Sequence, residues 1–332
     1  MGLPRSIEIA PGVLMPMIGF GTWALHSPYD AVRAALDAGY RHFDTAYQYQ
    51  NEGDIGRALR DSGIPREDVF VTTKIAASRI GLEEETIASS LRQLQTDYVD
   101  LWLIHDPPPP GKSEKLWQFM IGLRERGHAR TVGVSEYSTG QLDSVVAATG
   151  VTPAVNQIRW APALFDPARV HEMYDRKVQL EGFSALRLTD LDSPSLLEIA
   201  EAHGVTTSQV LLRWHIDHGV VAIPRSSTPE RIQANLDVWD FELTGPELDI
   251  IDAMSVVIRP GAAYPEAPIG SVGTIIAPTG LPTGAGEIEI AGQPALLAWS
   301  AEHLSVGTVA RVIGYRGVRA VEVEAIEVDV RE

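Results

Sequence analysis

The 332 residues include no cysteine. Disulfides, thiolate nucleophiles and thiolate-held zinc or iron–sulfur centres are thereby excluded, and redox work would need a bound cofactor. Long apolar runs are missing too: nothing approaches the roughly 18 residues of a membrane span, and the opening MGLPRSIEIA lacks the apolar stretch of a secretory signal. The expectation is a cytoplasmic protein with no membrane span. Positive charge is scarce, with Lys and Arg at 27 against 44 Asp and Glu, a formal net charge of −17. Such a field repels nucleic acid and anionic lipid, so neither is an expected partner, and any anionic ligand must meet a local cluster of basic residues. What remains is an ordinary globular composition, 45% hydrophobic and 21% charged, with length for a large domain and a smaller one.

From residue 18 to residue 239, short β-branched or aromatic runs alternate with helical patterns. The strand-like runs are Ile18–Gly21, His42–Asp44, Val69–Thr73, Tyr98–Ile104, Thr131–Val134, Ala154–Ile158, Val178–Phe183 and Val220–Ile223. Helix starts are marked by Ser27-Pro28, by Ser138 with Gln141 three later, by Ser193-Pro194 and by Thr228-Pro229; Gly39, Gly127, Gly150 and Gly204 mark ends. Eight such units predict a (β/α)₈ barrel of class α/β. IEIAPGVLMP before them reads as a hairpin, and LTGPELDIIDAM after them as one more helix ending near Met254. The domain over 1–255 gives way to a Pro/Gly/Ala linker over 256–268. Residues 269–332 then hold short alternating runs between glycine turns, which predict a small all-β module of five strands, OB-like in character.

Barrel enzymes gather their chemistry at the C-terminal strand ends. Here those ends carry Gly21-Thr22-Trp23, Asp44 with Tyr49 just after, Lys74, His105, Ser135, Asn156-Gln157, Phe183-Ser184 and Arg225-Ser226. Taken singly, Asp44 could cap a loop, Lys74 could end in solvent, Tyr49 could pack at a rim and His105 could be a core histidine. Taken together they can exchange protons. An ammonium about 4 Å from a phenol favours the phenolate by roughly 4 kcal/mol at an effective dielectric near 20, which draws a pKa of about 10 toward 7, with Asp44 beside the lysine offsetting part of the fall. Tyr49 would then donate a proton to a developing alkoxide, Asp44 would orient Lys74, and His105 would bond the substrate oxygen.

An acid of this kind needs a hydride donor beside it. IPRSSTPERIQANLD (223–237) places Arg225 and Ser226 at the last strand end, and Arg231 and Asn235 on the helix entered at Thr228-Pro229. Arginine forks beside a helix start suit a phosphate, which favours NADPH over NADH, although a solvated face would show the same residues. Phe183 could stack on the nicotinamide while Ser135 and Gln157 bond its amide.

GYRHFDTAYQYQNEGDIG, TTK (72–74), DLWLIH (100–105), VNQI (155–158), GFS (182–184) and IPRSSTPERIQAN, in that order, resemble the aldo-keto reductase family over residues 3 to about 255. The resemblance implies NADPH-dependent reduction of a small carbonyl compound on a barrel, with a tetrad of Asp44, Tyr49, Lys74 and His105 and no metal. It implies nicotinamide contacts from Ser135, Gln157 and Phe183 and adenine-side contacts from Arg225, Ser226, Arg231 and Asn235. Gly21, Thr22, Asp44 and Ser184 complete the cofactor site, and Trp23 lines both cofactor and substrate beside Tyr49 and His105. Three departures stand out. Glu136 occupies a position usually held by asparagine, the loop ALRLTDLDSPS is short, and His105 is followed by Asp106 and four prolines.

The C-terminal stretch resembles the OB-like domain of NfeD-type proteins, with EIEIAGQ and GTVARV as its carriers. From Val256 onward Arg259, Arg311, Arg316, Arg319 and Arg331 stand against nine acidic residues, so self-association or docking of a protein partner fits better than nucleic acid. Two further patterns carry little. GFGTWA fits a lone dinucleotide signature without the helix that should follow, and His215 and His218 read as packing rather than ligands. The rival to a reductase is an NADPH-binding regulatory or scaffold subunit on the same barrel.

Overall fold

The computed structural model describes residues 4–254, 272–277, 285–290, 296–299, 304–305, 308–315 and 320–325. The linker expected over 256–268 lies outside them. The chain divides into two compact units, Met1–Ser255 and Val256–Glu332.

The first unit opens with an antiparallel hairpin, β1 (Ser6–Ala10) and β2 (Val13–Pro16). Eight parallel strands follow: β3 (Phe20–Gly21), β4 (His42–Asp44), β5 (Phe70–Ile75), β6 (Val99–Ile104), β7 (Ala129–Ser135), β8 (Val155–Arg159), β9 (Gln179–Phe183) and β10 (Val221–Ala222). Each pairs with the next in chain order. The ring closes between its first and last members, where Gly19 N–H donates to Ala222 O at 2.8 Å, Ala222 N–H to Met17 O at 2.9 Å and Gly21 N–H to Pro224 O at 3.0 Å. Glycine is what the seam requires. A Cβ at Gly21 would stand 2.9 Å from Ile223 O, and one at Gly19 2.5 Å from His42 Nδ1. The expected (β/α)₈ architecture is therefore present.

The helices are α1 (Pro28–Ala38), α2 (Glu52–Ser62), α3 (Glu83–Leu94), α4 (Ser113–Glu125), α5 (Thr139–Thr149), α6 (Pro167–Asp175), α7 (Pro194–His203), α8 (Thr207–Asp217), α9 (Pro229–Leu236) and α10 (Gly245–Asp252). Proline opens α1, α6, α7 and α9, where its missing N–H costs nothing. Ser138 with Gln141 forms the capping box foreseen for α5. The stretch between β9 and β10 holds two helices, because Gly204 at φ 66° stops α7 and Thr206 with Gln209 caps a fresh start for α8. No described helix is long and apolar enough to cross a membrane.

Strands β5 and β6 are buried at every position, helices covering one face and the barrel interior the other. Polar residues inside them must therefore be partnered. Asp100 accepts from Val71 N–H at 2.9 Å and from Arg66 at 2.8 Å. Thr73 Oγ1 donates to Glu52 Oε1 at 2.6 Å, and Ser90 Oγ to Glu52 Oε2 at 3.0 Å, tying α2 and α3 to the strand that carries Lys74.

In the second unit, β11 (Val272–Ala277), β12 (Ala285–Glu289), β13 (Leu296–Trp299), β14 (Val309–Tyr315) and β15 (Ala320–Ala325) close in the order β11-β12-β13-β15-β14. All neighbours are antiparallel except β13 and β15.

Candidate active site

The last residue of β4 is Asp44, the last but one of β5 is Lys74, and His105 follows β6 directly. After β4 the chain turns through a single 3₁₀ turn, Tyr47–Tyr49, with Gln50 in the left-handed region at φ 54°, and this turn brings Tyr49 back over the strand ends. The four side chains meet there. Lys74, fully buried, donates from Nζ to Asp44 Oδ1 at 2.6 Å and to Thr45 O at 2.8 Å. Its ammonium stands 5.1 Å from the centroid of the Tyr49 ring. The ring of His105 packs edge-on against Tyr49 with centroids 5.6 Å apart.

Electrostatics assign protonation states. Burial pulls the Lys74 pKa down, but the facing charge of Asp44, then Tyr49 and Glu181, outweigh it, and the net shift is upward: the ammonium stays charged. Burial lowers His105 to about 3, with the Lys74 charge acting in the same direction, so its imidazole is neutral. The phenol overturns a sequence expectation. Burial raises the Tyr49 pKa above 10.0; the charge of Lys74 lowers it, Asp44 and Glu181 raise it, and the net direction is up. The acidified phenol near 7 is thus not what the fold builds. Lost solvation outweighs the ammonium, and Asp44, 2.6 Å from Lys74, offsets part of its effect.

Around this core, Ser135 closes β7 and Gln157 sits in β8, both buried. Gln157 Nε2 donates to Asp44 Oδ2 and to Glu181 Oε2, each at 2.7 Å. Phe183, the last residue of β9, is half-buried, and Ser184 after it takes a left-handed φ of 62°. Gly21 and Thr22 are buried, Thr22 donating from Oγ1 to Asp44 O at 2.9 Å. Asn51 at the head of α2 donates to Thr22 O at 2.8 Å and accepts from Thr45 Oγ1 at 3.1 Å, which fixes the loops after β3 and β4 to one another.

The basic residues gather at β10 and α9. Arg225 is exposed, lies 5.3 Å over the Trp23 ring and donates to Trp23 O at 2.9 Å and Ala24 O at 3.1 Å. Trp23 itself is 42% exposed. Ser226 accepts from Thr228 N–H at 3.1 Å, exposed Arg231 donates to Thr228 Oγ1, and Asn235 is buried on α9. The sequence-derived candidates thus stand at or just beyond strand ends, except Arg231 and Asn235, which lie on α9. Glu136, at φ 59°, accepts from the backbone N–H of Arg159 at 2.7 Å, so its carboxylate caps the end of β8. His215 is buried, while His218 finds the acidic partner missed in sequence, Asp252 at 2.8 Å.

The sequence reasoning also missed Glu181, His42 and Glu52, all fully buried beneath the strand ends. Only Glu181, a carboxylate flanked by Leu180 and Gly182 inside a core strand, leaves a readable signal. A cavity of about 410 Å³ lies at the other end of the barrel, lined by Arg5, Arg41 and Trp239 among others, away from these groups.

The profile of the Aldo/keto reductase family matches residues 17–256. Methylglyoxal reductase DkgA of Escherichia coli O157:H7 is 37% identical over 255 residues, covering 75% of this chain and 92% of its own. An aldo-keto reductase of Mycolicibacterium smegmatis is 40% identical over 267 residues, covering 78% and 96%. Among solved structures, an aldo/keto reductase from Brucella melitensis superposes with a TM-score of 0.73 at 37% identity, over 76% of this chain and all of that one. A Bombyx mori aldo-keto reductase in complex with NADP gives 0.70 at 30% identity, over 77% and 94%.

Proposed function

The chain belongs to the aldo/keto reductase family, an oxidoreductase that reduces carbonyl groups with NADPH, and from that premise we propose which of its residues do the work and how. The observation that carries the assignment is the buried Lys74 ammonium, held 2.6 Å from Asp44 and 5.1 Å from the centroid of the Tyr49 ring.

The residues present fit the dinucleotide. Arg225 and Arg231 offer charge to phosphate at an exposed rim in a chain of net charge −17, with Ser226 and Asn235 beside them. Ser135 and Gln157 offer polar groups for a carboxamide, and the half-buried Phe183 offers an aromatic face. When bound, NADPH supplies the hydride; the protein handles the proton and the oxygen.

Tyr49, half-buried in the 3₁₀ turn, enters the reaction as a neutral phenol, its pKa raised because lost solvation outweighs the Lys74 charge. An alkoxide is far more basic than any phenol, so the transfer from Tyr49 Oη to the new alkoxide is downhill without a standing acidification. The phenolate left behind is where Lys74 acts: its charge stands beside the ring whose oxygen becomes negative, and it needs no rearrangement to receive that charge. Asp44 and Thr45 O hold that ammonium in place. His105, neutral, serves as a hydrogen-bond donor to the carbonyl oxygen and stays out of the proton transfer. Trp23 supplies a wall for the substrate.

The scaffold alternative is not favoured, because an inert nucleotide sensor has no use for a fully desolvated Lys–Asp pair aimed at a tyrosine. Following the loss of nicotinamide absorbance with an aromatic aldehyde, or with methylglyoxal, separates the two. Turnover supports the reductase, and NADPH binding without turnover contradicts it.

The C-terminal unit reads as an OB-like domain of NfeD type. Support comes from the strand order β11-β12-β13-β15-β14 with β13 and β15 parallel. Its acidic balance favours self-association or a protein partner over nucleic acid. A cytoplasmic location completes the proposal.

A further inference from the structure

Glu181 lies in the middle of β9, in register with Gln157 on β8 and Val221 on β10, with no exposed surface. The mechanism above makes no use of it, yet two of its neighbours belong to the site. Its Oε2 accepts from Gln157 Nε2 at 2.7 Å, and the same nitrogen donates to Asp44 Oδ2 at 2.7 Å. An amide nitrogen has two hydrogens, and both are committed. The assignment of the amide is fixed by chemistry, since a carbonyl oxygen placed there would face the ionised Asp44. What Gln157 has left for a ligand is therefore its carbonyl oxygen, an acceptor.

The other oxygen of Glu181 settles its protonation state. Oε1 has no hydrogen-bond partner, and His42 Nε2 stands 3.4 Å away. His42 Nδ1 is 3.3 Å from Pro16 O, and a carbonyl can only accept, so Nδ1 carries the hydrogen and Nε2 presents a lone pair. An ionised Oε1 would face that lone pair, whereas a protonated one can donate to it. Burial, then the Asp44 charge, push the Glu181 carboxyl up to about 8, and burial lowers His42 to about 3, in agreement. The buried row thus runs Lys74, Asp44, Gln157, Glu181, His42, with one cation matched to one anion.

We infer that Glu181 is a positioning residue for hydride transfer: as a neutral acid it locks the amide of Gln157 so that only the carbonyl oxygen is offered to the carboxamide NH₂ of the nicotinamide. With that amide fixed, the orientation of the ring is selected before any substrate arrives. Released on one side, Gln157 could turn and present either atom, and the selection would be lost. This rests on the cofactor reading of Gln157.

The test is a double-mutant cycle read by NADPH binding to the full chain, through quenching of tryptophan fluorescence. Glu181→Leu should weaken NADPH about five- to tenfold, the worth of one buried hydrogen bond. Glu181→Gln is the neutral isostere, accepting from Gln157 and donating to His42, and should stay within about twofold of the parent, since both hydrogen bonds survive. In a Gln157→Leu background, Glu181→Leu should change nothing further. Equal losses with and without Gln157 would overturn the proposal, as would a tenfold loss from Glu181→Gln. Should Glu181→Leu fail to fold, Glu181→Val, suited to a strand, takes its place in the same cycle. Failure of the parent protein to bind NADPH would instead sink the cofactor reading itself.

Discussion

The two sides of the barrel mouth are built on different terms. On the β4–β6 side, Asp44, Lys74 and His105 are buried, and the amine and carboxylate are hydrogen-bonded to the protein. On the β10–α9 side, Arg225 and Arg231 are exposed; among the described residues they hydrogen-bond backbone carbonyls and Thr228, and Arg225 also lies over the Trp23 ring. The first side is finished before any ligand arrives, which is what stabilisation of a nascent charge demands, because a dipole that must still turn has lost its advantage. Under the proposed assignment the second would be organised by a phosphate on binding, which is cheap for charges that water already solvates. The proposal thus places chemistry in the interior and cofactor selection on the surface of one ring of strands.

Several substitutions sharpen or break this contrast. The largest effect belongs to Tyr49→Phe, which should lower kcat by about 10²–10⁴-fold, the range of a lost general acid. NADPH affinity should barely change, and steady-state rates beside a fluorescence titration check both. Lys74→Met comes next: it leaves Asp44 charged and unpaired in the interior and should cost about 3–5 kcal/mol in urea unfolding. Arg231→Ala should leave unfolding untouched and weaken NADPH by about tenfold, the loss of a charge-assisted phosphate contact. NADH should bind it as before. Equal destabilisation by Lys74→Met and Arg231→Ala would erase the distinction between the two sides.

A smaller effect concerns acid. His42, His105 and His215 are each lowered to about 3 by burial, so they are neutral in the fold and take up protons only on unfolding; their stabilisation is intact above 6.5 and is lost as pH falls toward 3. Glu181, raised to about 8, and Asp106, raised to about 6, work in the opposite sense, holding protons in the fold that the unfolded chain has released. Between pH 6 and 4.5 the two acids offset only part of the three histidines, leaving a net of about one proton, and below about 4 the histidines dominate. Urea midpoints should therefore drift gently at first and then fall steeply; a steep fall beginning at pH 6.5 would contradict the buried acids.

Much of this site was legible in the sequence because the barrel imposes a rule: what ends a strand faces the mouth. Asp44, Lys74, His105, Gln157 and Phe183 were found that way, and Tyr49 by its closeness to Asp44. The rule is silent about what lies one layer down. Glu52 and His42 look like helix and strand filler until Thr73 and Pro16 are seen beside them. The error over the Tyr49 phenol has the same root. A sequence places an ammonium near a phenol, with Asp44 beside it, but does not show how much water has been excluded, and desolvation is the largest effect on Tyr49. Gly204 is legible as the end of α7, but the fresh start at Thr206, capped by Gln209 three residues on, was not singled out.

The account stands on Tyr49 holding its proton by burial and handing it on only when an alkoxide forms. Titrating the parent protein and Tyr49→Phe side by side, and taking the difference in the tyrosinate ultraviolet band, isolates that one phenol. No tyrosinate from Tyr49 should appear between neutral pH and the ordinary phenol value of 10.0. A Tyr49-specific transition centred near 7 would mean that Lys74 ionises the phenol in the resting enzyme, and the account would be wrong.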